Sequence, residues 1–406
     1  MSGEPLPPNG RVVIVGASLA GARAAETLRS AGFGGRVTAV GDEPHAPYDR
    51  PPLSKQLLSG AWERERINLP SEQMSGVKLL LGATASQLNL ATRTLSLLDG
   101  NELSYDGLVV ATGARARTLD HLLRAPSDRV LTLRTVDDSR RLRARLHGHV
   151  VIVGAGFVGS EVASTALEVG ARVTIIEPQA GPMRRVLGPS ASAWLATVMQ
   201  QAGVQLRLES SVVGLSITPG DTGVEIALSD GDTVVADTVV VAIGAAPNVE
   251  WLVGSGLELD DGLVCDDRLF ASDHVVAAGD VARWYRADLS RTVRLEHWTN
   301  AVKQAECAAQ NLLLGRAAAV AFADQPYVWS DQFGIRIEML GLPSEHHDDS
   351  IVWGSPADNR FLISYRDGGE LTAIVGVNAT RPLLTLRRRL AQHPGLDDEL
   401  LSLVVH

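Results

Sequence analysis

Short apolar, β-branched runs alternate with longer stretches of helical period along the first three quarters of this chain. Val12, Val13, Ile14 and Val15 form the first run, followed by a helix-like pattern to about Ala31 and a second run over 36–40. The same order returns further on: an apolar run over 150–153, a helical stretch, and a run over 173–176 that ends at Glu177. Apolar strands separated by amphipathic helices predict parallel sheets covered by helices. After each unit the period changes to two. Residues 77–109 and 204–235 alternate apolar and polar positions, with turn signals at Asp99-Gly100, Asp106-Gly107 and Asp230-Gly231, so each is expected to form a small antiparallel sheet. Each half then closes with a continuous apolar strand and a glycine turn: 107–110 into Ala111-Thr112-Gly113, and 239–243 into Gly244. From Tyr327 the pattern is short alternating strands and a terminal helix, a separate antiparallel domain. Residues 115–149 read as a connector, and 1–10, rich in proline and glycine, as a loose leader.

The junctions between strand and helix carry chemistry. Gly154, Gly156 and Gly159 follow the 150–153 run as Gly-Ala-Gly-Phe-Val-Gly. The first glycine permits a tight turn, the second lets backbone N–H groups approach a pyrophosphate, and the third lets helix and strand pack closely. The helix N-terminus then turns unpaired N–H groups towards the diphosphate. Glu177 lies 177 − 154 = 23 residues beyond the first glycine, where a carboxylate accepts ribose hydroxyls and repels a 2′-phosphate, favouring NAD over NADP. An earlier copy starts 154 − 16 = 138 residues upstream, with Gly16, Ser18 in place of the second glycine, and Gly21. Its second strand runs into Asp42 and Glu43, again placed for a ribose. Two nucleotide units in one chain are a stronger signal than either alone. Between them, Pro47-Tyr-Asp-Arg50-Pro-Pro-Leu-Ser-Lys55 holds Arg50 and Lys55 on stiffened backbone, with Ser54 expected to cap the following helix.

Composition narrows the class. A net charge of −10 argues against a nucleic-acid binder, and no apolar run approaches the roughly 20 residues needed to span a bilayer. The two cysteines, Cys265 and Cys307, are far apart, which fits a reducing cytoplasm and leaves no Cys-x-x-Cys redox centre. The expected location is cytoplasmic. The run His346-His347-Asp348-Asp349 reads as a solvated loop, so no metal site is expected.

The ordered motifs GASLAG, YDRPPLSK, ATGA, GAGFVGSE, GAAPN, AAGD, EHWTNA and WSDQ resemble those of FAD-dependent, NADH-using ferredoxin reductases. These are the flavoprotein components of bacterial cytochrome monooxygenase and Rieske-type oxygenase chains. The resemblance extends over about 11–374. It implies an α/β fold with two Rossmann-like dinucleotide-binding domains, for FAD and NAD, of the glutathione-reductase type, plus a C-terminal α+β domain with an antiparallel sheet. The FAD-binding domain would comprise 1–114 and 242–325, the NAD-binding domain 115–241 and the C-terminal domain 326–406. By match of motif, Gly16, Ser18, Ala20, Gly21 and Asp42 or Glu43 would meet the adenosine half of FAD, and Arg50 its pyrophosphate. Asp280 would meet the ribityl chain, and Lys55 and Trp298 the flavin ring. Ala85, Ala111, Thr112, Gly113 and Arg134 fall at positions implied to contact FAD. Gly154, Gly156, Val158, Gly159, Glu177, Arg184 or Arg185, and Gly244 would carry NADH.

The implied reaction passes electrons from NADH through FAD, one at a time, to an iron–sulfur ferredoxin that feeds a cytochrome monooxygenase or Rieske oxygenase. Lys55 and Glu161 are the candidate catalytic residues, expected to pair near the flavin, with Trp329 near the electron exit. Arg283, Arg286, Arg291, Arg294, Arg316 or the run Arg387, Arg388 and Arg389 would supply a basic docking patch. Alternatives of the same fold are a rubredoxin or quinone reductase, or a flavin and NADH redox sensor. The oligomeric state stays open between monomer and homodimer.

Overall fold

The computed structural model describes residues 4–123, 127–343, 348–390 and 396–405. His346 and His347 lie outside that set. By its internal contacts the chain divides into two units, each assembled from three stretches: Met1–Asp49, Ile67–Arg115 and Ala246–Asp324 in the first, Arg50–Arg66, Ala116–Ala245 and Gln325–His406 in the second.

The first unit is built on a six-stranded sheet. Its order is Phe270–Ser272, Val275–Ala277, Gly107–Val110, Arg11–Val15, Arg36–Gly41 and Val77–Leu81, parallel except for the first pair. Strands such as Gly107–Val110 are buried along their whole length, which is why they read as unbroken apolar runs. The helices Leu19–Ser30 and Trp298–Leu314 pack against each other beside this sheet. The expected small sheet is present as the antiparallel strands Ala85–Asn89, Thr94–Leu97 and Glu102–Ser104. The leader is not loose from Leu6 onward: Leu6 is buried in this unit's core, and its N–H donates to the Leu313 carbonyl at 3.3 Å.

The second unit repeats the plan. Five parallel strands run in the order Gln205–Leu208, Arg172–Glu177, His149–Val153, Thr238–Val241 and Val130–Thr132. A three-stranded antiparallel sheet, Val212–Ile217, Val224–Leu228 and Thr233–Ala236, follows. The stretch expected to be a connector supplies the edge strand Val130–Thr132 and the helix Val136–Arg145. That helix opens with a capping box, Thr135 accepting from the Asp138 N–H and Asp138 from the Thr135 N–H. The C-terminal region forms a five-stranded antiparallel sheet in the order Tyr327–Gln332, Ile335–Gly341, Glu370–Val377, Arg360–Asp367 and Asp348–Ser355, with helices Thr380–Leu390 and Asp398–Val405. Residues 50–66 pack here rather than with 1–49. Thr165 Oγ1 donates to the Ser54 carbonyl and Ser139 Oγ to the Leu53 carbonyl, both at 2.8 Å.

Candidate active site

In the first unit the strand Arg11–Val15 turns at Gly16, whose φ of +113° suits glycine and whose Cβ would sit 2.0 Å from the Ala111 carbonyl oxygen. A Cβ on Gly21 would lie 1.8 Å from the Gly16 oxygen, so the helix begins against the loop. Ser18 holds the position before that helix in extended backbone, with no side-chain cap. The loop borders a cleft of about 490 Å³ lined by Gly16, Asp42, Ala85, Thr112, Arg115, Asn248, Glu250 and Trp251. Of the two candidate acids, Asp42 faces this cleft. Tyr48 donates to the Glu43 carboxylate at 2.5 Å, and Glu43 does not line the cleft. Thr112 and Asn248 exchange hydrogen bonds of 2.8 and 2.9 Å at the rim.

Ala20 and Asp280 come together through Gly279, where a Cβ would be 3.2 Å from the Ala20 Cβ and 3.6 Å from that of Ala301. The Gly279 N–H donates to Gln304 Oε1 at 2.9 Å. Trp298 Nε1 donates to Asp49 Oδ1 at 2.9 Å. Gln304 Nε2 and His297 Nδ1 are buried with no hydrogen-bond partner among the described residues. Burial pushes the His297 imidazole down to about 4, against the opposing pull of Asp280. The glycine cradle and the rim carboxylate of Asp42 fit a dinucleotide such as FAD. Neither His297 nor Gln304 stands out in the sequence; His297 is the N-cap of the helix Trp298–Leu314 that carries Gln304.

The second unit holds an equivalent cleft. Gly154 has φ +101° and a Cβ there would be 2.4 Å from the Ala242 oxygen, while one on Gly159 would be 2.0 Å from the Gly154 oxygen. The cleft, about 350 Å³, is lined among others by Gly154, Gly156, Glu177, Met183, Arg184, Arg185 and Gly244. Val158, just past the loop, is 40% exposed. Both Arg184 and Arg185 border the cleft, so the structure does not choose between them. Glu177 is buried, and its carboxylate accepts the Ala155 N–H at 2.7 Å and the Gln179 N–H at 2.9 Å. Two backbone donors therefore fix the acid at the end of its strand.

Lys55 and Glu161 are brought together in the same unit, Nζ to Oε2 at 2.7 Å, with side chains 15% and 10% exposed. Ser54 Oγ donates to the same oxygen at 2.5 Å, and Ser330 Oγ donates to Oε1 at 2.7 Å. Gln332 Nε2 donates in turn to Ser330 Oγ at 3.1 Å. Ser54 thus does not cap the short helix Gln56–Ser59: Lys55 occupies that position, and the serine hydroxyl is spent on the buried carboxylate. Ser330 and Gln332 went unassigned, although strand alternation in WSDQ sends them to the face opposite Trp329 and Asp331. Desolvating two charges is costly even when they pair, and here one ammonium and two hydroxyl donors satisfy the buried carboxylate. Trp329 stacks on Tyr327 at 6.0 Å and lies 5.8 Å from the Arg336 guanidinium. Arg50 donates to the Arg134 carbonyl at 2.6 Å, joining two of the residues implied to contact FAD.

Several arginines named for docking are already neutralised. Arg283 pairs with Asp260, Arg286 with Asp288, Arg294 with Asp261 and Glu296, and Arg316 with Asp266 and Asp273. Arg388 and Arg389 lie exposed on the helix Thr380–Leu390. Both cysteines are free thiols, and burial pushes Cys265 well above its ordinary range and Cys307 up to about 11. Among the described residues no group of three His, Cys, Asp or Glu gathers to hold a metal, and no helix is long and apolar enough to cross a membrane.

Comparison with known proteins agrees with this layout. Residues 10–305 match the pyridine nucleotide-disulphide oxidoreductase family and 327–402 the reductase C-terminal family. The chain is 35% identical over 394 residues to rhodocoxin reductase of Rhodococcus erythropolis, covering 96% of this chain and 91% of that protein. It is 35% identical to the ferredoxin reductase component of a chlorobenzene dioxygenase from a Cupriavidus species, covering 96% and 95%. A crystal structure of the covalent putidaredoxin reductase–putidaredoxin complex superposes with a TM-score of 0.89 at 31% identity, covering 97% of this chain and 95% of that one.

Proposed function

Because the chain belongs to the pyridine nucleotide-disulphide oxidoreductase family, we propose that it is a cytoplasmic flavoprotein reductase that moves electrons from NADH to an iron–sulfur ferredoxin serving an oxygenase. Ferredoxin reduction for a dioxygenase is in the names of relatives such as the chlorobenzene dioxygenase component, and the lack of a Cys-x-x-Cys pair separates the chain from disulphide reduction. The observation that supports the reading is the pairing of Lys55 with Glu161, which sits on the helix that follows the second glycine loop.

FAD, when bound, supplies the conversion of a two-electron hydride donor into one-electron deliveries. The chain's own residues do the rest. The first glycine loop, Asp42 and the rim formed by Thr112 and Asn248 would hold the adenosine half of FAD. Gly154, Gly156 and the helix behind them receive the NADH pyrophosphate, and Glu177 takes the ribose. Lys55 presents a cation whose direction is set by Glu161, and Glu161 is itself held by Ser54 and Ser330. Fixing the carboxylate from both oxygens keeps the ammonium preorganised, so no reorganisation is required at the moment charge develops beside it.

Two measurements test this. Purified protein should be yellow, should bleach faster with NADH than NADPH, and should reduce ferredoxins ahead of rubredoxin or quinones. Lys55→Met should keep the flavin and slow bleaching by NADH about a hundredfold. An unchanged bleaching rate removes Lys55 from the chemistry, and preferential quinone reduction removes the ferredoxin.

A further inference from the structure

The wall of the second cleft that carries Arg184 and Arg185 is a broken helix. The segment Arg184–Gln201 is interrupted at Gly188, whose φ of 67° and ψ of −178° are not helical, and Pro189 follows. Proline has no N–H for the carbonyl four residues back, so the first turn is cut off from the rest of the helix. What closes it on one side is local: the N–H groups of Val186 and Leu187 both donate to the Met183 carbonyl at 2.9 Å. On the other side the closure comes from the C-terminal sheet. Tyr365, fully buried on the strand Arg360–Asp367, donates its hydroxyl to the Leu187 carbonyl at 2.7 Å. Gln332 Nε2 also reaches the Met183 sulfur at 3.6 Å. The longer part of the helix is fastened independently, with Trp194 edge-on to Phe361 at 5.0 Å and bonded to Asn359 at 3.2 Å. The arginine-bearing turn is therefore bracketed from both ends by the C-terminal sheet.

We propose that Tyr365 is a positioning residue for the nicotinamide dinucleotide, capping Leu187 so that Arg184 and Arg185 stay in the turn that walls the cleft. This rests on the reading of that cleft as the NADH site. It gives the C-terminal domain a part in nucleotide binding. Burial raises the phenol well above its ordinary value, so it remains a hydrogen-bond donor at any working pH.

The test uses the full-length, flavin-loaded protein. In Tyr365→Phe, the NADH KM with ferricyanide as acceptor and the NAD⁺ Kd by calorimetry should both rise about fivefold, the fold-change of one net hydrogen bond. The kcat should stay within about twofold, and hydrogen exchange at residues 184–187 should quicken. Unchanged KM, Kd and exchange overturn the proposal, as does a fall in kcat at constant KM. If the parent protein binds neither nucleotide, the reading of the cleft fails instead. Should Tyr365→Phe not fold, Gly188→Ala decides: a side chain at that positive φ shifts the break and must raise the KM, and an unchanged KM refutes the proposal.

Discussion

The two glycine loops share a plan, and the register at their second strands separates them. Gly16 donates its N–H to the Val40 carbonyl at 2.7 Å, and Gly154 donates to that of Ile176 at 2.8 Å, so the next residues, Gly41 and Glu177, are equivalent. In the second unit that position holds the carboxylate fastened to the loop. In the first it holds glycine, where a Cβ would lie 2.7 Å from the Ala17 Cβ, and the acid is delayed by one residue to the exposed Asp42. By contrast, the change from Gly156 to Ser18 costs the loop little. Both residues are extended, and a Cβ on Gly156 would meet nothing within 4 Å. The strand end, more than the second glycine, makes the two clefts different.

That comparison can be broken at several points. Gly21→Ala and Gly159→Ala each push a methyl onto a carbonyl oxygen and should destabilise their units by about 1–3 kcal/mol or more. The first should release flavin and the second should spare it while abolishing NADH use, as read by flavin absorbance and NADH oxidation. Loss of flavin in both would mean the clefts are not independent. Glu177→Ala should shift the NADH over NADPH preference about tenfold towards NADPH, whereas Asp42→Asn should leave that ratio alone and weaken flavin retention. His297 gives a smaller, pH-dependent effect. Its folded value of about 4 lies below the ordinary 6.5, so its contribution is complete above pH 6.5 and declines as pH falls towards 4. The loss should reach about 1 kcal/mol at pH 5.5 and vanish in His297→Asn, measured by thermal unfolding. Least of all, Arg388→Glu with Arg389→Glu should slow ferredoxin reduction a few-fold at low salt and not at high salt. A rate indifferent to ionic strength moves the docking surface elsewhere.

Both parallel sheets and both loops were legible because continuous apolar runs and glycine spacings are local signals. Lys55 and Glu161 were legible too, since each sits at a fixed place within a motif. Ser330 and Tyr365 were not, because what they do depends on packing between segments more than a hundred residues apart. The helix Val136–Arg145 was hidden for another reason. Six of its ten residues are charged, leaving a narrow apolar stripe, and only its capping box marks it as a helix in the sequence.

Each unit is sewn from three separated stretches, and this has a consequence for the nascent polypeptide. The strand Gly107–Val110 must wait for Val275–Ala277 to emerge before its second edge is covered. Residues 50–66 belong to a unit whose last stretch starts only at Gln325. On the ribosome, therefore, neither unit can be completed early, and β-branched edges stay exposed through much of synthesis. Expression yield should depend on chaperone supply more steeply than final stability would suggest.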